Sequence, residues 1–174
     1  ILEPDAAVHI RTVDERNPYK GLRPFGEADA LDFFGRAQLT ERVLARLNEG
    51  DGAARFLAVV GPSGSGKSSV VRAGLAPALR AGGLATSKQV LVTEMFPGAH
   101  PWDELEAALF RVAVRPPTRL CDILQAGSRG LLDAVELVTP PEAELVLIVD
   151  QFEELFTLTT DEREREQLLE SLRV

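Results

Sequence analysis

The stretch GPSGSGKSS, residues 61–69, constrains the fold of this chain more than any other feature. It fits the pattern G-x-x-x-x-G-K-[ST] at every fixed position. The short apolar run FLAVV stands directly before it, and helical spacing of apolar residues predicts a helix from Lys67 to about Arg80. A strand, a glycine-rich turn and a helix in that order predict a phosphate-binding loop in an α/β protein.

The residue types in this loop suit the binding of a polyphosphate. Gly64 and Gly66 allow the backbone to turn so that successive N–H groups face inward, and the following helix adds the positive end of its dipole. We expect Lys67 to reach the β- and γ-phosphates as a catalytic residue, Ser68 to bind Mg²⁺ and Ser69 to assist at the α-phosphate. The predicted nucleotide-binding loop residues are Gly61, Pro62, Ser63, Gly64, Ser65, Gly66, Lys67, Ser68 and Ser69.

A second motif, LVLIVDQFEELF, contains acidic residues and covers residues 145–156. Asp150 ends the apolar run and is predicted to bind the metal together with Ser68. Gln151 follows where a glutamate would often activate water, and an amide can orient water but cannot accept its proton. Glu153 and Glu154 come within the next turn. They are candidates for activating water, or solvated acids at a helix start, and the residues alone leave both interpretations open.

The arrangement of apolar residues predicts an α/β fold with a mainly parallel sheet, because strands alternate with helices. The strands FLAVV and LVLIV lack polar alternation, which is typical of a sheet with helices on both faces. Residues 1–16 are predicted to be a linker or arm, and residues 17–30 an irregular but docked segment. The predicted strands are 55–60, 89–95 and 144–149, and the predicted helices are 37–47, 67–80, 102–114, 119–126, 129–138 and 161–172.

Composition limits the classes of function. The net charge of −8 argues against broad contact with a nucleic-acid backbone, and no apolar run is long enough to cross a membrane. The single cysteine, Cys121, cannot form an internal disulfide, so a reducing cytoplasm is the expected location. Cys121 itself is interpreted as a small core residue rather than a nucleophile.

Three separated blocks resemble a known family. They read NPYKGLRPFGEADALDFFGR, LAVVGPSGSGKSSVVRAGLAPAL and LVLIVDQFEELF, in that order. Together they are similar to the first group of novel STAND NTPases, which are bacterial signal-transducing ATPases related to AAA+ and NACHT proteins. The resemblance spans about Asn17 to Leu158.

The resemblance implies a P-loop NTPase fold with sheet order 5-1-4-3-2, ATP and Mg²⁺ as ligands, and a nucleotide-gated change of shape that relays a signal. The FFGR block resembles a motif beside the base and sugar, which adds Gly35 and Arg36 to the expected nucleotide contacts. Similar NACHT proteins place two acids at the spacing of Glu153 and Glu154. On this basis the catalytic acid is one of these two, with Glu153 favoured and turnover expected to be slow.

The resemblance also implies a longer protein. Residues 17–174 correspond to the N-terminal part of the NTPase domain, truncated after the strand that ends at Asp150. WD40-type repeats, an effector or sensor domain and an ATP-dependent homo-oligomer are the implied partners. Strand 4 of the implied sheet would lie between the loop strand and the Asp150 strand, so this segment is not expected to fold alone.

Three functions therefore remain as hypotheses. The first is an ATP-hydrolysing signalling switch. The second is a non-hydrolysing nucleotide-binding interaction module, which Gln151 favours. The third is a small-molecule phosphotransferase, which would need arginines at the site, and the candidates are Arg111, Arg115, Arg119 and Arg129.

Overall fold

The computed structural model describes residues 21, 23–49, 56–85 and 89–173. The predicted linker at 1–16 lies outside these residues, as do residues 17–20 and 22 of the predicted docked segment and Arg55 of the first predicted strand. Among the described residues, no helix is long and apolar enough to span a membrane.

Two parallel strands form the sheet of the described chain. Strand β1, Gln89–Met95, pairs with strand β2, Ala143–Val149, in a register that runs from Gln89 opposite Ala143 to Met95 opposite Val149. The N–H of Asp150 donates to the Met95 carbonyl at 3.0 Å, which extends the ladder by one bond. The two strands confirm the predictions for 89–95 and 144–149. Their parallel pairing agrees with an α/β fold of the P-loop NTPase kind.

Helices make up most of the remaining regular structure. Residues 67–81 form one continuous helical stretch, here called the loop helix, in which α-helical and π-helical segments alternate. Gly82, at φ 90°, leaves the helical conformation and ends it. The helical segments are a 3₁₀ helix at Glu27–Asp32, α1 Ala37–Asn48, α2 Lys67–Ser69, a π-helix at Val70–Leu75, α3 Ala76–Ala78, a π-helix at Leu79–Gly83, α4 Pro101–Phe110, α5 Leu120–Leu124, α6 Gly130–Val138, α7 Glu154–Thr157 and α8 Glu162–Ser171.

The sheet is covered on both faces, as the sequence predicted. On one face, Leu75 and Leu79 of the loop helix pack with Val92 of β1, and α1 closes that layer. On the other face, α4, α5, α6 and α8 bury a larger core that includes Leu105 and Leu109. Each such fully buried leucine contributes about 1.5–3 kcal/mol by leaving water.

The first predicted strand is the main departure from the sequence-based expectation. Residues 56–60 pair with neither β1 nor β2, and Phe56 and Val60 are 75% and 89% exposed. An extended segment is stable only where a neighbouring strand satisfies its backbone groups, and these residues have none among the described strands. In the expected order 5-1-4-3-2, β1 and β2 take the places of strands 2 and 3, and the structure shows these two strands side by side.

Helix α4 is also shorter than predicted. It ends at Phe110 instead of continuing to 114, and Arg111 and Val112 form a turn. The N–H of Val114 donates to the Val138 carbonyl at the end of α6, at 3.1 Å. The backbone of residue 114 is therefore committed to a contact with α6, which a continued helix would not allow.

Candidate functional site

The loop at residues 61–66 is shaped by two glycines. Gly64 and Gly66 have φ values of 75° and 88°, a left-handed conformation that residues with a side chain rarely adopt. The N–H of Ser65 donates to the Pro62 carbonyl at 3.2 Å, which closes the turn. Gly64 and Gly66 therefore have the turned backbone conformation for which glycine was predicted at these positions.

Donors converge on the concave side of this loop. The backbone N–H groups of Gly66, Lys67 and Ser68 have no hydrogen-bond partner among the described residues, as expected at the start of a helix. The Lys67 ammonium group lies against the loop and donates to the carbonyls of Gly61 and Pro62 at 2.9 and 3.1 Å. Free N–H donors beside a cationic side chain are the donor set that a phosphate group needs, so these residues fit a nucleotide.

The loop and the acidic strand end meet directly. Ser68 Oγ donates to Asp150 Oδ1 at 3.1 Å, although the two residues are separated by 82 positions in the chain. Both atoms are hard oxygen ligands, the type that Mg²⁺ prefers. Two adjacent ligands of an octahedral magnesium ion lie about 2.9 Å apart, close to the distance between these two atoms. The pair therefore fits the metal that the sequence predicted at Ser68 and Asp150.

An arginine that the sequence analysis missed completes this cluster. Arg72 Nη2 lies 3.1 Å from Asp150 Oδ2, and Arg72 Nε lies 2.5 Å from Glu94 Oε1 of strand β1. Arg72 stands four residues after Ser68, so both side chains project from the same face of the loop helix. That spacing is the signal that would have indicated a shared partner for Ser68 and Arg72.

The residues after Asp150 form a tight turn. Gln151 adopts φ 53°, and its N–H donates to Asp150 Oδ1 at 2.9 Å. Glu154 Oε2 accepts from the N–H of Gly98 at 3.2 Å, which ties α7 to the segment after β1. Glu153 is exposed, and its carboxylate makes no hydrogen bond to another described residue. The two candidate acids are therefore not equivalent: one is structurally engaged and the other is available.

The FFGR block lies at the start of α1. Gly35 has φ 79°, and Arg36 is the residue before α1, where its carbonyl accepts from the N–H groups of Leu39 and Thr40 at 3.0 Å. The Arg36 side chain is exposed and has no hydrogen bond or ion pair with another described residue. The role of Gly35 and Arg36 beside a base and sugar stays a prediction.

The segment before the FFGR block contacts the loop helix. The N–H of Phe25 donates to Ser69 Oγ at 3.1 Å, and the rings of Phe25 and Phe33 pack with their centroids 5.6 Å apart. The described part of the predicted docked segment is thus anchored next to the loop. Ser69 was predicted to assist at the α-phosphate; its hydroxyl accepts this bond and keeps its own O–H for another partner, so that role stays a prediction.

The four arginines proposed for a phosphotransferase do not gather at one place. Arg119 and Arg129 pair with acids of their own helices, Asp122 at 2.7 Å and Asp133 at 3.8 Å. Arg111 donates to the Glu94 carbonyl of β1, and Arg115 is exposed. The arginine at the acidic strand end is Arg72, which none of these predictions included.

Comparison with known proteins identifies the family of this chain. The profile described as Novel STAND NTPase 1 matches residues 18–174. Comparison with curated proteins and with solved structures gave no significant match. The match covers nearly the whole chain and includes the loop, Asp150 and the FFGR block. The chain therefore belongs to the Novel STAND NTPase 1 family, a family of nucleotide-binding signalling domains.

Proposed function

We propose that this chain binds ATP together with Mg²⁺ and forms part of the nucleotide-controlled switch of a longer, cytoplasmic signalling protein that hydrolyses ATP slowly. The observation that carries the proposal is the hydrogen bond of 3.1 Å between Ser68 and Asp150. It joins the phosphate-binding loop to the acidic strand end, and these are the two parts that a magnesium–nucleotide site requires.

Each residue of the site has a role that its present contacts support. The free N–H groups of Gly66, Lys67 and Ser68 would hold phosphate oxygens, and the Lys67 ammonium group would exchange the Gly61 and Pro62 carbonyls for a more strongly charged phosphate. Ser68 and Asp150 would hold the magnesium ion. When bound, that ion offsets the negative charge that the phosphate groups carry during hydrolysis.

Glu153 is the acid that we assign to activation of water. Its carboxylate is exposed and free of hydrogen bonds to the described residues, so it can accept a proton. Glu154 is held by the Gly98 N–H and would keep α7 in place. Gln151 would orient the water without taking its proton.

Nucleotide binding can be transmitted to the rest of the protein through the segment at residues 23–32. This segment reaches Ser69 through the Phe25 N–H, so a change in the loop alters one of its anchoring bonds. The other partners that we propose are domains elsewhere in a longer chain, such as WD40-type repeats and an effector or sensor domain, and further copies of the same protein when ATP is bound.

The test is a titration of the full-length parent protein with labelled ATP and Mg²⁺. Lys67→Ala removes the ammonium group and is expected to weaken ATP binding by about tenfold or more, as for the loss of a charge-assisted hydrogen bond of roughly 1.5–3 kcal/mol. Arg115→Ala is the matched control, because it removes an exposed positive charge away from the loop. No uptake of ATP by the unmodified protein, or equal binding by the Lys67 variant, would refute the proposal.

The two alternative functions are separated by following the γ-phosphate. Release of inorganic phosphate supports the ATPase. Stable binding without release supports a non-hydrolysing interaction module, the alternative that Gln151 after Asp150 favours. Transfer of the label to a small metabolite would support a phosphotransferase.

A further inference from the structure

We infer that Arg72 is a positioning residue for the metal site, which it serves by fixing the orientation of the Asp150 carboxylate. The inference rests on the proposed function, because it concerns the same Mg²⁺-dependent binding of ATP. It adds a residue of the loop helix to the two expected metal ligands and assigns that residue a task distinct from metal coordination.

The contacts divide the two oxygens of Asp150 between different partners. Oδ1 accepts from Ser68 Oγ at 3.1 Å and from the Gln151 N–H at 2.9 Å. Oδ2 is bound by Arg72 Nη2 at 3.1 Å. With Oδ2 held by the guanidinium group, Oδ1 faces the serine that is expected to share the metal. Arg72 therefore does not have to leave when a metal binds at Oδ1.

Arg72 is itself held on three sides. Its Nε donates to Glu94 Oε1 at 2.5 Å, and its Cζ lies 5.1 Å from the centroid of the Phe96 ring. Its side chain is only 20% exposed, compared with 31% for Glu94 and 17% for Asp150. A partly buried guanidinium that binds two carboxylates through different nitrogens and rests on an aromatic ring has little freedom to rotate.

The charges of the cluster explain why this arrangement can coexist with a cation. Glu94 offsets the charge of Arg72, so the three side chains together keep one net negative charge for an incoming Mg²⁺. Lysine could supply the same charge, but it is a point donor on a flexible stem and cannot reproduce the planar fork that binds Glu94 and Asp150 at once. The geometry therefore calls for arginine and not merely for a positive charge.

The substitution Arg72→Gln should leave the fold intact. A cavity of about 400 Å³, lined by Arg72, Glu94, Phe96 and Glu27 of the 3₁₀ helix among others, adjoins the arginine side chain. Because this cavity is open to solvent and the two acids are partly exposed, water can reach Glu94 and Asp150 when the guanidinium is removed. Thermal unfolding of each variant, followed by circular dichroism, verifies that the fold is retained.

The experiment measures ATP binding to the full-length parent protein with Mg²⁺ and with EDTA, and takes the ratio of the two affinities. Binding of Mn²⁺, followed by electron paramagnetic resonance, reports the metal directly. Loss of a residue that orients a metal ligand typically costs 10–100-fold in metal affinity, so Arg72→Gln is expected to lower the ratio and the Mn²⁺ affinity by about tenfold or more. Its affinity for ATP in EDTA should stay within about twofold of that of the unmodified protein.

Three further variants sharpen the comparison. Arg72→Lys should recover only part of the loss. Glu94→Gln keeps the Arg72–Asp150 contact and should change the ratio less than Arg72→Gln does. Arg80→Gln is the matched control, because Arg80 lies on the same helix and binds the Val92 carbonyl and the Glu27 carboxylate but not Asp150. It should leave the ratio unchanged.

The outcomes separate this inference from the proposed function. If the unmodified protein takes up no ATP with Mg²⁺, the proposed function fails and the inference fails with it. If the unmodified protein binds but Arg72→Gln keeps the same ratio, or binds metal more tightly, Arg72 does not position Asp150. Full recovery by Arg72→Lys would also overturn the inference, because charge alone would then be sufficient.

Discussion

Asp150 is the residue at which the separate parts of the site meet. Its carboxylate receives donors from the loop helix through Ser68 and Arg72, and from the following turn through Gln151. Three donors therefore contact this partly exposed carboxylate. The site is thus prepared by hydrogen bonds that come from both the loop and the strand end.

Glu153 and Glu154 give the sharpest prediction at the residue scale. We expect Glu153→Gln to lower phosphate release by about 10²–10⁴-fold, the usual contribution of a positioned general base, while ATP binding is retained. Glu154→Gln keeps an oxygen for the Gly98 N–H and should reduce release much less. Phosphate release and ATP titration on the parent protein measure both effects. A larger loss in the Glu154 variant would reverse the assignment.

Cys121 gives a prediction about pH. Burial raises the pKa of its thiol above the ordinary value of 9.0, and the carboxylate of Glu106 raises this pKa further, with smaller contributions from Asp103, Asp122 and Glu164. The thiolate is the reactive form, so the folded chain should be alkylated by iodoacetamide more slowly at pH 8 than the same chain in urea. The unfolded chain ionises first, so this thiol also lowers stability as pH rises past 9.0.

The cysteine prediction is measured in the parent protein, where mass spectrometry of the peptide that contains Cys121, the single cysteine of these 174 residues, reports its labelling. The midpoint of the labelling rate against pH should lie above 9.0 in the folded protein. Glu106→Gln retains an oxygen for the Cys121 N–H and should lower that midpoint. Faster labelling of the folded than of the unfolded chain would contradict the expectation.

At the scale of elements, the close packing of α1 on the loop helix depends on a single residue, Gly74. A Cβ atom built at Gly74 would lie 2.4 Å from Thr40 Oγ1, with Thr40 Cγ2 and Cβ at 3.3 and 3.4 Å. The Thr40 hydroxyl also donates to the Arg36 carbonyl at 3.2 Å, so a rotation that moves it away from Gly74 costs that hydrogen bond. Gly74 therefore lets the two helices approach, and α1 carries the Gly35–Arg36 pair at its start.

Gly74→Ala should accordingly destabilise the protein, although alanine favours helix formation. The expected loss is about 1–3 kcal/mol in the free energy of unfolding, the usual cost of overpacking. Thr40→Ala removes the opposing atoms, so the double variant should recover most of this loss. Chemical denaturation of the four proteins in a double-mutant cycle measures the coupling. Additive effects of the two substitutions would show that the helices do not meet at this contact.

On the scale of the whole molecule, residues 56–60, which pair with no described strand, are expected to control whether the isolated chain associates. Phe56 and Val60 are mostly exposed, and Leu57 and Val59 are 37% and 38% exposed. Apolar side chains on an extended segment without a strand neighbour form a surface that associates with other chains. In the parent protein, the position of strand 4 in the order expected for this family would place a neighbour beside this segment.

We therefore expect the isolated 174-residue chain to associate and to bind a hydrophobic dye. The double substitution Phe56→Ser and Val60→Thr should reduce both, whereas Leu137→Ser, at a half-exposed position on α6, should change neither. Size-exclusion chromatography and dye fluorescence provide the measurements. A soluble monomer that melts cooperatively would show instead that residues 21–173 form a complete folding unit.

The sequence alone determined what depends on local chemistry. The loop 61–69 and its glycine conformations follow from residue order, because a tight turn that exposes N–H groups requires glycine at fixed positions. Strands β1 and β2 agree with the predicted 89–95 and 144–149 to within one residue, because the apolar, largely β-branched runs VLV and LVLIV favour strands. The spacing of Glu153 and Glu154 from Asp150 made both of them candidates and the resemblance favoured Glu153, but the contact of Glu154 with the Gly98 N–H appears only in the structure.

The tertiary structure decided what depends on contacts between distant parts of the chain. The link from Arg72 to Asp150 and Glu94, the bond from Phe25 to Ser69 and the anchoring of Glu154 by Gly98 each join residues separated by 22 to 78 positions. No local pattern encodes such pairs, because which side chains meet is set by the packing of helices on the sheet. For the same reason, residues 56–60 have the composition of a strand but do not form one: a strand exists only with a neighbour, and the neighbour is decided by the fold as a whole.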